Sequence, residues 1–131
     1  MYTKALEAFL IGQINWETDV IKAVLIDTAF YTPNFTTDAV LDDIPLNARI
    51  VESPALTAKT GANGVADAAD VTFPGLVGAQ CEALVLFKQT LNSSTNRLIC
   101  FIDTAGGLPI IPDGNDITVV WDNGANKIFR L

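Results

Sequence analysis

The side chains of this chain that could do chemistry are two thiols and three pairs of neighbouring carboxylates. Cys81 and Cys100 are its two cysteines, and it has no histidine. Without imidazole there is no His-based triad and no imidazole metal ligand, and the commonest general base is missing. A cysteine nucleophile would need another activator, and neither Cys81 nor Cys100 has an adjacent basic residue. Both read as small buried hydrophobes. A disulfide between them would need a strand register that brings them within bridging distance.

The carboxylate pairs are Asp42/Asp43, Asp67/Asp70 and Asp113/Asp116. Each could exchange protons or hold a hard cation. All lie in or beside turn-like segments, where aspartate commonly accepts backbone hydrogen bonds, and that local role is the expectation. Asp113-Gly114-Asn115-Asp116 is a fragment of a calcium loop, without the full ligand spacing or the closing glutamate. Gly61-x-x-Gly64 and Gly106-Gly107 are not phosphate loops, because no Gly-Lys-Ser/Thr element follows them. Asn34-Phe35-Thr36 and Asn92-Ser93-Ser94 match the glycosylation pattern and, without a secretory signal, read as chance. The expectation is a protein that is not an enzyme, with no catalytic residue, cofactor or bound metal.

Composition narrows the partners. Fifteen acidic residues against eight basic ones give a net charge of −7. Such a chain repels phosphate backbones, and no Lys/Arg cluster reverses this locally, so no direct contact with nucleic acid is expected. There is no apolar run long enough to cross a bilayer. Lys4 followed by an apolar segment cut by Glu7 makes a poor signal peptide, so the expectation is synthesis in a cytoplasm without export. At 131 residues, half of them hydrophobic, the chain is large enough for one domain with its own core. The mean hydropathy of +0.34 is high for a small monomer. Either Ala and Val inflate it, or apolar surface is buried against partners.

Two runs are expected to organise the fold. Glu82-Ala83-Leu84-Val85-Leu86-Phe87-Lys88 and Arg97-Leu98-Ile99-Cys100-Phe101-Ile102-Asp103 are short, apolar and ended by charges, with a polar loop between them. They read as antiparallel strands of a long-looped hairpin. Alternation places Leu98, Cys100 and Ile102 on one face and Ile99 and Phe101 on the other. Both faces are apolar. The hairpin should therefore be central, with a second sheet on one side and a helix or neighbouring subunit on the other.

The remaining elements follow in order. Residues 3–11 read as a helix with an apolar stripe of Tyr2, Leu6, Phe9 and Leu10, Thr3 as its cap and Gly12 at its end. Such a helix ordinarily lies on its own sheet, and the alternative is a docking helix for another subunit. Asp19–Asp27 reads as a strand, and Thr37–Asp43 as a helical turn capped by Thr36 or Thr37. Residues 48–59 read as a strand interrupted by Pro54, hence an edge strand or a bulge, and residues 65–73 as a further strand region. Ile117–Trp121 and Lys127–Leu131 read as the last two strands, joined by a hairpin turn at 122–126. The sum is mainly β: one antiparallel, sandwich-like domain over residues 1–131, with a short N-terminal helix and a helical turn near 37–43.

A set of local sequences runs along nearly the whole chain. It comprises Asp19-Val20-Ile21-Lys22-Ala23-Val24-Leu25-Ile26-Asp27, Tyr31-Thr32-Pro33, Asp42-Asp43-Ile44-Pro45 with Arg49, and Asp67-Ala68-Ala69-Asp70-Val71-Thr72-Phe73. It continues with Glu82–Lys88, Phe101-Ile102-Asp103-Thr104, Asp116-Ile117-Thr118-Val119 and Trp121-Asp122. In these the chain resembles a family of small virion proteins of tailed bacteriophages. The resemblance implies a β-sandwich-like virion component, best assigned as a capsid decoration (cement) protein on the outside of the head. It implies the major capsid protein and further copies of the chain as partners, and it carries over no site residues. Candidate contacts are Tyr2, Leu6, Phe9 and Leu10 of the helix, Tyr31 and Phe35 of the long connection, and Leu91 and Asn92 of the hairpin loop. One alternative is a tail, neck or fibre-attachment component of the same particle. The other is a carbohydrate- or calcium-binding β-module, with Trp16, Tyr31 and Trp121 stacking on sugars and the Asp113 loop holding calcium.

Overall fold

The computed structural model describes residues 1–131. Nine strands, all paired antiparallel, form three sheets. The main sheet is built from β1 (Ile21–Ile26), β2 (Arg49–Glu52), β6 (Ala83–Lys88) and β7 (Leu98–Ile102), in the order β2-β1-β6-β7. A second sheet joins β3 (Thr60–Ala62), β4 (Val65–Asp67) and β9 (Phe129–Arg130), and a third pairs β5 (Val71–Phe73) with β8 (Ile117–Val119). One helix, α1 (Thr3–Leu10), precedes them.

The expected central hairpin is the middle of the main sheet. β6 lies between β1 and β7, and Ala83 to Phe87 are fully buried. Burying each large residue of this run contributes about 1.5–3 kcal/mol. One face, with Ile21, Ala23, Leu25, Leu84 and Leu86, packs against Ala66, Val71, Phe73, Val119 and Phe129 of the two small sheets. The other face, with Val24, Ile26, Ala83, Val85 and Phe87, packs against Tyr2, Ala5, Tyr31, Leu41 and Ile44.

Strict alternation fails in β7. Cys100 lies opposite Leu86 and Leu98 opposite Phe87, so Ile99 is an extra residue, a bulge. The bulge sends Ile99 and Cys100 to the same core and Leu98 to the other. It also turns the Ile99 carbonyl outward, where it accepts the Tyr2 N–H at 3.1 Å. Leu98 N–H donates to the Ala39 carbonyl at 3.0 Å and Leu41 N–H to the Asn96 carbonyl at 2.9 Å. The outer edge of β7 is thus covered by the start of α1 and by the 39–41 segment, which removes it as a template for strand addition.

The helix turns a different face inward than its large residues suggest. Ala5 and Ala8 are buried, whereas Leu6 is 39% and Leu10 85% exposed. Small residues let the helix lie close to β7, and Tyr2 at its N-cap is fully buried in the same cluster as Ala5. Position 2, not Thr3, is the N-cap, and it makes no side-chain cap bond.

The expected helical turn near 37–43 is present, while its cap, the strand region 65–73 and the last hairpin differ from expectation. The turn near 37–43 is a single 3-10 turn at Leu41–Asp43, and its organiser is Asp43, whose Oδ2 accepts the Ala39 and Val40 N–H groups at 2.7 and 3.0 Å. Residues 65–73 divide into β4 and β5, which belong to different sheets. β9 pairs with β4 rather than β8, so residues 122–126 cross between sheets and make no hairpin. A two-residue hairpin does occur at Asn63-Gly64, both with positive φ, joining β3 to β4.

Candidate interaction surfaces

Asp67 and Asp113 make the expected local bonds, whereas Asp70 and Asp116 accept N–H groups from segments distant in sequence. Asp67 Oδ1 accepts the Ala68 N–H, Asp70 Oδ1 the Trp121 N–H, Asp113 Oδ1 the Asn115 N–H and Asp116 Oδ1 the Gly75 N–H, all at 2.8–3.0 Å. Asp42 lies 4.0 Å from the Arg49 guanidinium. No group of three or more Cys, Asp or Glu side chains converges as metal ligands would. Cys81 and Cys100 are both buried and unbridged, in the same core. Burial pushes each thiol up to about 12, with the charges of Glu82 and Asp27 adding to the effect at Cys81. A thiol held protonated in this way is a poor nucleophile at neutral pH.

Tyr2 and Tyr31 are not surface contacts, since both are buried. The Tyr31 hydroxyl donates to Asp38 Oδ2 at 2.8 Å, which leaves it to accept from the Tyr2 hydroxyl, also at 2.8 Å. Burial raises the pKa of both phenols above the ordinary value. The relay pins the 31–38 segment to the start of α1. The stacking surface of a sugar-binding module is lost with it. Trp16 and Trp121 are core residues as well, with their indole N–H groups donating to the Asp67 and Ala69 carbonyls at 3.1 and 3.0 Å.

The other contact candidates stay accessible. Phe9 is half-buried against Phe129, with ring centroids 6.0 Å apart. Phe35 is 42% exposed and leans on the Tyr2 and Phe101 rings. Leu91 is fully exposed at the tip of the β6–β7 loop, and Asn92 is exposed beside it. The loop itself is ordered by Asn96, whose buried Oδ1 accepts the Thr90 N–H at 2.6 Å and the Thr90 hydroxyl at 2.8 Å. A small apolar groove of about 200 Å3 runs between Phe9, Trp16, Val65 and Phe129.

The register of the main sheet sorts charge by end. Ile21 pairs with Lys88 and Ile26 with Ala83, so Lys22, Lys88 and Arg97 gather at one end and Asp27, Glu82 and Asp103 at the other. A concavity of about 480 Å3 opens at the first end, lined by Lys88, Arg97, Thr90, Ser94 and Thr95, with no carboxylate. One of about 450 Å3 opens at the second, lined by Glu82, Asp103, Tyr31, Pro33 and Phe101, with no cation. Lys88 is engaged by Asp19 at 3.0 Å and by the Gln13 carbonyl at 2.7 Å. Burial alone would raise Asp19, but the Asn15 N–H and the Lys88 ammonium outweigh it and hold the carboxyl below its usual range. The three ion pairs of the chain are Lys4–Glu7, Arg49–Asp42 and Lys88–Asp19, so Arg97, Glu82 and Asp103 have no ionic partner. The sequence carried a trace of this pattern, because each central run is ended by a charge. Only the antiparallel register decides which charges share an end. A scan against models of known protein families and a search of curated proteins found no match to this chain.

Proposed function

We propose that the protein is a structural subunit of a tailed-bacteriophage particle and decorates the outside of the head, where it stabilises capsomer junctions. The observation that carries this reading is apolar surface left outside two closed cores. Leu10, Ile11, Leu46, Val77, Leu91 and Ile111 are each more than two-thirds exposed. Leu10 and Ile11 are adjacent, and Leu6 stands one turn before Leu10 on the helix, so part of this surface is contiguous. A protein that presents such groups gains by covering them with neighbours. The whole-chain resemblance to small phage virion proteins supports the same role. The partners are the major capsid protein and further copies of this chain, and the acidic net charge suits basic patches on a shell.

A tail or neck component is the second reading. It is favoured by the opposite charge of the two sheet ends, because head-to-tail contacts close into the rings from which such structures are stacked. Cryo-electron microscopy of the intact particle, with this chain located in the map, separates the two. Density at capsomer junctions on the head exterior supports decoration. Density confined to the tail or neck rejects it in favour of the second reading, and absence of the chain from the particle rejects both.

A further inference from the structure

We propose that this chain associates with itself head to tail, the Lys88/Arg97 end of one copy seating in the Glu82/Asp103 end of the next. The inference deepens the subunit reading above and rests on it for the choice of a second copy as the occupant. Three observations lead there. The first is charge complementarity: one end concavity is lined by Arg97 and by Lys88, the latter already paired with Asp19, and by no carboxylate, the other by two carboxylates and no cation. The second is that the key charges are unspent. Arg97 has no carboxylate partner within the chain, and Asp103 is exposed without a cation. The cation placed closest to the acidic end by register is Arg49, opposite Ile26, and it is turned to Asp42. The third is shape. Leu91, fully exposed, projects from the loop that rims the cationic concavity. The acidic concavity is lined by Pro33 and the half-buried Phe101 among Thr28, Thr32, Glu82 and Asp103, so an apolar contact for such a knob lies beside its carboxylates.

In this contact Leu91 of one copy enters the acidic concavity of the next, and Arg97 comes to face Asp103 and Glu82. The two surfaces differ, so the contact is heterologous. Each copy keeps one free end, and assembly continues into a ring or a filament. The opposed ends also explain how a chain of net charge −7 can self-associate: the local sign at the contact, not the total, decides the interaction.

The test is a charge swap in the purified full chain, read by sedimentation velocity across a concentration series. The wild type is expected to form species larger than a dimer at low ionic strength. These should dissociate in salt of about 1 M, where screening shortens to about 3 Å. Arg97→Glu and Asp103→Arg should each weaken association about tenfold or more, with unchanged circular dichroism. Mixed in equal amounts, the two variants should reassociate. The carboxylate introduced at position 97 of one then faces the guanidinium introduced at position 103 of the other, and the native pair re-forms at the alternate contact. A wild type that stays monomeric overturns the inference. So does association that resists both reversals, and if that association is instead lost on Leu10→Glu, the helix face is the interface. None of these outcomes decides the virion role, which the particle map tests separately.

Discussion

Ala5→Leu and Leu10→Ala test, as a pair, which face of the N-terminal helix is inside. Ala5 is 1% exposed, and its neighbours in the core are fully buried residues of β1, β6 and β7. A leucine there adds three heavy atoms to a filled site, an overpacking that costs about 1–3 kcal/mol. With an unfolding entropy of about 2.1 cal/mol/K per residue, 131 residues give roughly 0.28 kcal/mol/K, so the melting temperature should fall by roughly 4–11 °C. Leu10 is 85% exposed, and its truncation removes little buried area while improving helix propensity slightly. It should stay within about 0.5 kcal/mol of the parent, roughly 2 °C. Thermal melts by circular dichroism, at concentrations where sedimentation finds monomer, measure both without interference from association. A drop of core size for Leu10→Ala, or an unchanged melt for Ala5→Leu, would refute the assignment of faces and return the helix to its leucine stripe.

Four more outcomes rest on burial and backbone geometry. Ser53 is buried, and its Oγ accepts the Ala23 N–H at 2.9 Å, so Ser53→Ala should cost about 1–3 kcal/mol in urea unfolding by orphaning a donor inside the sheet. Gly64 has φ +77°, and a Cβ there would meet the Leu131 carbonyl at 3.3 Å. Gly64→Ala should therefore lose about 1 kcal/mol or more, checked by the same unfolding curves. Tyr2, Tyr31, Cys81 and Cys100 all have their pKa raised by burial, the thiols to about 12. The native state keeps protons that the unfolded chain gives up, so this stabilisation is complete below the unfolded values of about 8.5 for thiol and about 10 for phenol. It is lost as pH rises toward and through the native values. Urea midpoints should accordingly fall steadily above about pH 9, and a midpoint that holds or rises there would contradict the burial of these groups. The same burial makes both thiols unreactive to a thiol reagent near pH 8 until the protein is unfolded.

What the residue order alone determined is local and periodic. Charges bounding apolar runs marked β1, β6 and β7, because a strand apolar on both faces must lie inside a layered fold. Pro54 marked the limit of the strand before it: β2 ends at Glu52 and lies at a sheet edge. Asp67 and Asp113 were legible as local backbone acceptors, since a short carboxylate reaches nearby N–H groups, whereas the distant donors of Asp70 and Asp116 were set by the fold. The tertiary structure decided what depends on contacts distant in sequence. The helix face could not be read from side-chain size, because close approach to β7 selects alanines and leaves leucines outside. The bulge at Ile99, which moves Leu98 to the other core, follows from the fit of β7 to β6 and has no sequence signal of its own. Tyr2 and Tyr31 looked like surface aromatics until a hydrogen-bond relay spanning 29 residues took them inside. The polarity of the main sheet arises the same way: each strand carries its own terminal charges, but antiparallel pairing brings Glu82 beside Asp103 and Lys88 beside Arg97, and so gives the molecule two unlike ends.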